Sequence, residues 1–286
     1  MTFIDKSINQ IADIIKTSYV YWETAGKSGL FQRLDPRVKI VFMLFFIILV
    51  SMLRSIRVEL ALSFFLMILI SLSRLDMLHL YRRIIGFAFF FGLLIALPSA
   101  FNVITRGEIV IPVATLSRSY HWWIYTIPAK IGMTREGLFG VAMLTLRVMN
   151  SVSITLLVIY TTPFFEIIRA LKVFRVPDTF LMIIILTYKY IFIFSKTVED
   201  MYRAMKARLA GPVDGATIRG ILAGRIFFLF KKSQMQYEET YRAMLCRGFS
   251  GDVMLVSFRK LTVRDAAAGV LFALAGMLFI MMQVYL

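Results

Sequence analysis

Residues 179–194 read TFLMIIILTYKYIFIF, and whether this stretch crosses a membrane decides the fold of everything after it. By hydropathy alone it spans. Charge argues the other way. A single crossing here would leave residues 195–265, with 13 Lys and Arg, on the outer side, against the positive-inside bias. A return crossing at 218–230 would have only 13 residues and would carry Arg219 and Arg225. The stretch is therefore expected to stay on the cytoplasmic side, against the bilayer or a partner membrane subunit, where Lys189 reaches water.

The rest of the chain sets that membrane context. Of 286 residues, 59% are hydrophobic and 17% charged, whereas a soluble domain has about 45–50% apolar and about 25% charged residues. Apolar runs recur at 38–53, 58–73, 84–100, 138–160 and 266–286. This excludes a soluble globular or disordered chain and predicts an all-α polytopic membrane protein with about five transmembrane helices. The net charge of +16 suits either a nucleic-acid binder or a basic cytoplasmic face. The apolar runs decide for the second, with the bilayer as partner and no nucleic acid.

The expected organisation is an N-terminal cytoplasmic or interfacial segment at 1–37, four spans within 38–160, a cytoplasmic region at 161–265, and a last transmembrane helix at 266–286. Residues 1–37 lack the unbroken apolar core of a signal peptide. Ile4, Ile8, Ile11 and Ile15 instead fall at helical spacing, as in an amphipathic interfacial helix. With the N-terminus inside, 74–83 is an inner loop carrying Arg74, Arg82 and Arg83. The aromatic stretch around Pro112, Tyr120, Trp122, Trp123, Tyr125 and Pro128 reads as an interfacial loop. These assignments place the protein in the cell membrane.

Several residues have local readings. Asp35-Pro36 fits a helix N-cap followed by proline at the first helical position. Thr162-Pro163 repeats the scheme, with Glu166 near the positive helix end. Pro177 breaks one helix and starts another. Arg147 lies inside a span, where an unpaired charge costs at least about 2.5–3.5 kcal/mol. It must snorkel, pair with an acid from the cytoplasmic helices, or contact a substrate-binding partner. One cysteine (Cys246) and two scattered histidines (His79, His121) exclude an internal disulfide and predict no metal site. Gly26-Lys27-Ser28 mimics the end of a phosphate-binding loop, but Tyr21 stands where the pattern needs glycine. No cofactor and no catalytic residue is expected.

The most specific signal is an internal repeat. Residues 202–208 read YRAMKAR and 241–247 read YRAMLCR, five of seven positions agreeing at a separation of 39. Ala204 shares a helix face with Arg208, as Ala243 does with Arg247. Met205 and Met244 sit beside them. A small Ala permits close approach, Met fits irregular grooves, and a terminal Arg reaches a carboxylate or carbonyls. Gly211-Pro212 follows the first copy and Gly248 the second, as helix stops. Two like plugs suggest two like sockets.

At these residues the sequence resembles the transmembrane T component of energy-coupling factor (ECF) transporters. Leu34-Asp35-Pro36-Arg37-Val38-Lys39 is similar to the start of that family's first helix. Gly137 to Leu171, with Leu146-Arg147-Val148 and Thr161-Thr162-Pro163, resembles its central stretch. Arg175-Val176-Pro177 resembles its break between coupling helices. Arg208 and Arg247 correspond to the arginines of its two Ala-Arg-Gly motifs, although here they read Ala207-Arg208-Leu209 and Cys246-Arg247-Gly248. The second copy leans toward the cobalt/nickel branch.

The resemblance implies a non-catalytic coupling subunit of an ATP-driven importer of metal ions or vitamins. Its partners would be two ABC-type ATPase subunits, identical or different, and a substrate-binding membrane S component. A stand-alone secondary transporter or channel is the alternative. Ion-coupled carriers place acids within spans, yet here only Glu59, at the edge of 58–73, qualifies. An intramembrane enzyme would need a cluster of catalytic groups, and none is visible.

Overall fold

The computed structural model describes residues 29–102, 104–105, 107–115, 120–122, 125–127, 130–208, 215–250 and 261–285. The expected amphipathic helix of the N-terminal segment falls outside the described residues. The chain divides into two compact units, Thr24–Phe164 with Arg259–Leu286, and Phe165–Phe258 with Met1–Glu23.

The first unit opens with α1 (Pro36–Met52). Its start is set by the Asp35 carboxylate, which accepts the Arg37 N–H at 2.9 Å, with Pro36 at the first helical position. A short turn leads to α2 (Ile56–Leu72) and a second to α3 (Met77–Phe87). α3 runs on without a break into a π-helical segment, Ala88–Leu94, followed by a 3₁₀ turn at Leu97–Ala100. α4 (Arg135–Thr161) begins where the Thr134 hydroxyl accepts the Gly137 N–H at 3.1 Å. It is the central helix, packed against α1, α2, α3 and the π-helical segment. The last helix of the unit, numbered α7 in chain order (Val263–Tyr285), lies against α1 and α2.

Lipid tails are as apolar as leucine, so helices in a bilayer associate through close packing rather than release of water. The core shows this. Phe46, Leu62, Leu66, Ile70, Ile154 and Leu157 are fully buried between α1, α2 and α4. Rings interlock between α1 and α7, with Phe42 and Phe272 centroids 4.6 Å apart and Phe31 at 5.3 Å from Phe42. Two glycines allow helices to approach closely. A Cβ on Gly276 would sit 2.2 Å from the Phe45 ring, and one on Gly92 would sit 2.8 Å from the Thr145 Cα. The π-helical segment thus places a glycine where its backbone meets that of α4.

The second unit contains α5 (Phe164–Val173, its first residue belonging to the first unit), then two long helices. These are α6a (Asp178–Arg208) and α6b (Gly215–Cys246).

The chain is an all-α polytopic membrane protein. Among the described residues, four helices are long and apolar enough to cross a membrane: Met77–Leu94, Arg135–Thr161, Asp178–Met205 and Val263–Tyr285. α1 and α2, with 17 residues each, reach only about 25 Å. Two expectations need correction. The third apolar helix starts at Met77 rather than 84, so Arg82 and Arg83 sit on a helix and not in an inner loop. Hydropathy missed this because the first turns of α3 are amphipathic, burying only Leu80 and Ile84.

The stretch read as an aromatic loop also holds strands. β1 (Ile109–Thr115) pairs antiparallel with β4 (Lys130–Thr134), and β2 (Tyr120–Trp122) pairs with β3 (Tyr125–Ile127). The β-branched run at Ile109-Val110-Ile111 and the aromatics favour extended backbone. Trp123 and Pro128 lie outside the described residues.

Gly92→Val should force the π-helical segment away from α4. We expect a loss of about 1–3 kcal/mol, read as a lower melting temperature in detergent, with Gly86→Val, at a position open on all sides, as the milder control.

Candidate functional site

The second unit carries the repeat. α5 ends with Arg175 at φ +59°, its N–H donating to the Lys172 carbonyl at 3.1 Å. Pro177 then removes a donor and disfavours helix at Val176. Lys172 Nζ bridges the break to Asp178 Oδ2 at 2.9 Å, and Asp178 lies in the first turn of α6a, where negative charge suits the helix dipole.

α6a and α6b are tied in antiparallel sense. Tyr190 Oη lies 2.6 Å from Thr240 Oγ1, and Lys232 Nζ donates to Thr197 Oγ1 at 3.5 Å. As one helix advances the other recedes, so the two copies of the repeat point to opposite ends of the pair. At 1.5 Å per residue, Arg208 lies about 20 Å from the tie along α6a, and Arg247 about 15 Å the other way along α6b.

Each copy sorts its two arginines. Arg203 pairs with Glu199 one turn back, and Arg242 with Glu238 at 3.8 Å. The two glutamates are themselves 39 residues apart, so the repeat extends beyond the seven positions first read. Glutamate N-terminal to arginine at this spacing is the favoured orientation on a helix. The side chains of Arg208 and Arg247 are exposed, and neither makes an ion pair or hydrogen bond among the described residues. Ala204 and Ala243 are exposed beside them. The methionines differ: Met244 is half-buried, whereas Met205 is packed within the chain at 7% exposure.

α6b ends in a Schellman motif. The Phe249 N–H donates to Met244 O at 3.1 Å, the Gly248 N–H donates to Leu245 O at 3.0 Å, and Gly248 has φ +80°. That conformation costs a residue with a Cβ roughly 1 kcal/mol or more. Gly248 therefore fixes where Arg247 sits. Gly211, the stop expected for the first copy, lies outside the described residues.

Within the first unit Arg147 finds its partners. Its Nη2 donates to the Leu53 carbonyl at 2.7 Å, and its Nε lies 3.9 Å from Glu59 Oε1. Glu59 is completely buried on α2. Asn150, one turn along α4, donates to Glu59 Oε2 at 2.7 Å and accepts from Ser63 Oγ at 2.7 Å. The acid that pairs with Arg147 thus comes from its own helix bundle and not from the helices expected to be cytoplasmic. Glu59 and Asn150 were missed as a pair because one stands at a helix edge in α2 and the other far away in sequence.

Lys39, also fully buried, donates to Thr161 O at 2.9 Å and to Gln32 O at 3.4 Å. It closes the C-terminal end of α4 just before Thr162-Pro163. A lysine inside the apolar face of α1 was the available signal. Arg83 Nη1 donates to Tyr160 Oη at 2.6 Å beside it. Among the described residues no group of three or more His, Cys, Asp or Glu could hold a metal ion.

Two outcomes follow from this geometry. Gly248→Ala should cost the end of α6b about 1 kcal/mol, seen as faster amide exchange at Gly248 and Phe249. Arg147→Leu should destabilise the bundle by on the order of 3 kcal/mol, because Glu59 stays buried without its cation. The double variant Arg147→Leu with Glu59→Gln should recover part of that loss in a thermodynamic cycle.

The sequence profile of the Cobalt transport protein family (CbiQ) matches residues 27–257. That match takes in α1 to α6b and both copies of the repeat. Among curated relatives, the uncharacterized protein MJ1571 of Methanocaldococcus jannaschii is 27% identical over 266 residues, covering 92% of this chain and 86% of its own. A second uncharacterized protein of that organism, MJ1089, is 23% identical over 232 residues, covering 80% of each.

Proposed function

Because the chain belongs to the cobalt transport protein family, the T component family of ECF transporters, we propose that it is the energy-coupling membrane subunit of an ATP-driven importer. In this reading it catalyses nothing itself. Two ABC-type ATPase subunits bind its paired helix ends, and a separate S component in the membrane binds the cargo, a cobalt or nickel ion in keeping with the family's description. Vitamin cargo is the alternative within the same architecture.

One observation carries the reading: among the described residues the duplicated helix end leaves one arginine side chain per copy unpaired, at opposite ends of an antiparallel helix pair. Arg203 and Arg242 are engaged on their own helices, so the conformity of the two copies is not needed for their sake. Among the described residues the Arg208 and Arg247 side chains make no ion pair or hydrogen bond. Separation of the two ends by tens of ångströms suits two like grooves on two subunits better than one groove. Ala204 and Ala243 let a partner approach closely, while Met244 offers an adaptable edge. Motion of the ATPases couples to transport only if these contacts differ between nucleotide states.

For topology we propose the N-terminus and residues 161–265 on the cytoplasmic side and the C-terminus outside, after five spans that include α1 and α2. Asp178–Met205 is apolar enough to cross, but the 17 Lys and Arg between 161 and 265 favour retention inside. External labelling of Asp214→Cys or Asp252→Cys in intact cells, with Cys246 removed, should fail. Successful labelling would invert the topology.

Arg208→Glu and Arg247→Glu should each weaken ATPase docking by about 2–5 kcal/mol and uncouple hydrolysis from uptake. Arg203→Ala and Arg242→Ala should be tolerated, lying about 140° around the helix from the terminal arginines. Co-purification and uptake measured on all four variants test this. Wild-type assembly and uptake in both Glu variants would remove the coupling role from the repeat.

A further inference from the structure

The end of the bundle where α2 stops and α7 starts carries a second site. An open cleft of about 1160 Å³ lies between residues 29–34, the last turn of α2 and the first turns of α7. Arg33, Arg74 and Arg264 all line it, and all three are exposed. We propose that this cleft binds the phosphate of an anionic phospholipid, held by these three guanidinium groups.

Three like charges around one cleft repel unless an anion joins them. Among the described residues none of the three forms an ion pair, and the carboxylates that begin α1 and α7 are committed elsewhere. Asp265 accepts the Asp35 N–H at 2.9 Å and the Thr262 N–H and hydroxyl at 2.9 and 2.6 Å. Asp35 caps α1. Guanidinium forks match phosphate oxygens two at a time, so three of them select a phosphate over a weakly charged ligand.

The walls are built rather than loose. The Leu30 N–H donates to Leu72 O at 3.3 Å, and Gln32 Nε2 donates to Ser73 O at 2.8 Å. A Cβ on Gly29 would lie 2.5 Å from Ser73 O, so only glycine permits this seam. Arg74 itself is held at φ +50°, a conformation uncommon for a residue with a side chain.

The apolar part of the lining separates a lipid from free phosphate. Leu30, Leu72 and Val263 line the same cleft and are 53%, 49% and 87% exposed. Free phosphate has no use for that surface, whereas a phospholipid presents its acyl chains beside its headgroup. Basic pockets between transmembrane helices recognise anionic headgroups by this pairing of cation and hydrocarbon.

The test is native mass spectrometry of the purified full chain in detergent, titrated with phosphatidylglycerol, phosphatidylcholine or inorganic phosphate. Phosphatidylglycerol should bind in preference to phosphatidylcholine. Arg33→Gln, Arg74→Gln and Arg264→Gln should each weaken it about 5-fold, and the triple variant far more. Arg54→Gln with Arg57→Gln, at the α1–α2 turn, should leave it unchanged. Equal binding of the two lipids, or undiminished binding by the triple variant, would overturn the proposal. If the triple variant does not elute as a folded species, the three single variants decide, and no loss in any of them has the same consequence. Displacement of phosphatidylglycerol by millimolar inorganic phosphate, with phosphate bound alone, would assign the cleft to a free anion and overturn the lipid reading.

Discussion

Lys39 on α1 donates to the carbonyl of Thr161, at the end of α4, while Arg147 on α4 donates to the carbonyl of Leu53, at the end of α1. Each helix closes the C-terminal end of the other with a cation. The last carbonyls of a helix have no partners within it, and in a bilayer no water stands ready to supply them. A positive charge there also meets the negative end of the helix dipole. This reciprocal arrangement ties the axial register of the two helices at both ends. Glu59 balances Arg147 from α2, and Arg83 reaches Tyr160 from α3. All four helices thereby share one polar seam within an apolar bundle.

The seam also explains where the chain leaves the first unit. Thr161 is held by Lys39, and the next two residues, Thr162-Pro163, cannot continue the helix. α5 then begins at a defined point. At the start of α1, the Asp35 carboxylate caps the helix while its N–H donates to the carboxylate of Asp265 at the start of α7. α1 and α7 are pinned together at their N-terminal ends by the Asp265 side chain, which also accepts the Thr262 N–H at the start of its own helix. The interlocked rings of Phe42 and Phe272 continue that contact.

The repeat shows a division of labour that a seven-residue comparison leaves half visible. Its inner arginines are neutralised by glutamates at the preceding turn, which keeps the helices solvated and straight at little cost. Its outer arginine side chains have no such partner among the described residues, which is what the proposed docking role requires. The asymmetry between Met205, buried, and Met244, half-buried, indicates that the two ends present related but unequal surfaces. That difference fits two sockets that are alike without being used identically.

Much of this was legible without coordinates. Apolar runs, the Asp35-Pro36 cap, the proline breaks and the duplicated Tyr-Arg-Ala-Met stretch are local signals, and local signals survive in a linear string. The helical class and the place of the repeat at helix ends follow from them. The amphipathic first turns of α3 and the small strands between 109 and 134 were less visible. In both, a weak intrinsic preference is decided by what the segment packs against. The partners of Arg147 could not be read at all. Burial cost says that an arginine in a span must have a partner, but Glu59 and Asn150 become that partner only when α2 and α4 lie side by side. By itself the sequence determined the helical class, the capped and proline-broken helix ends and which stretch is duplicated. Only the tertiary structure decided which buried charge closes which helix and which acid balances Arg147, because both depend on distances between residues remote along the chain.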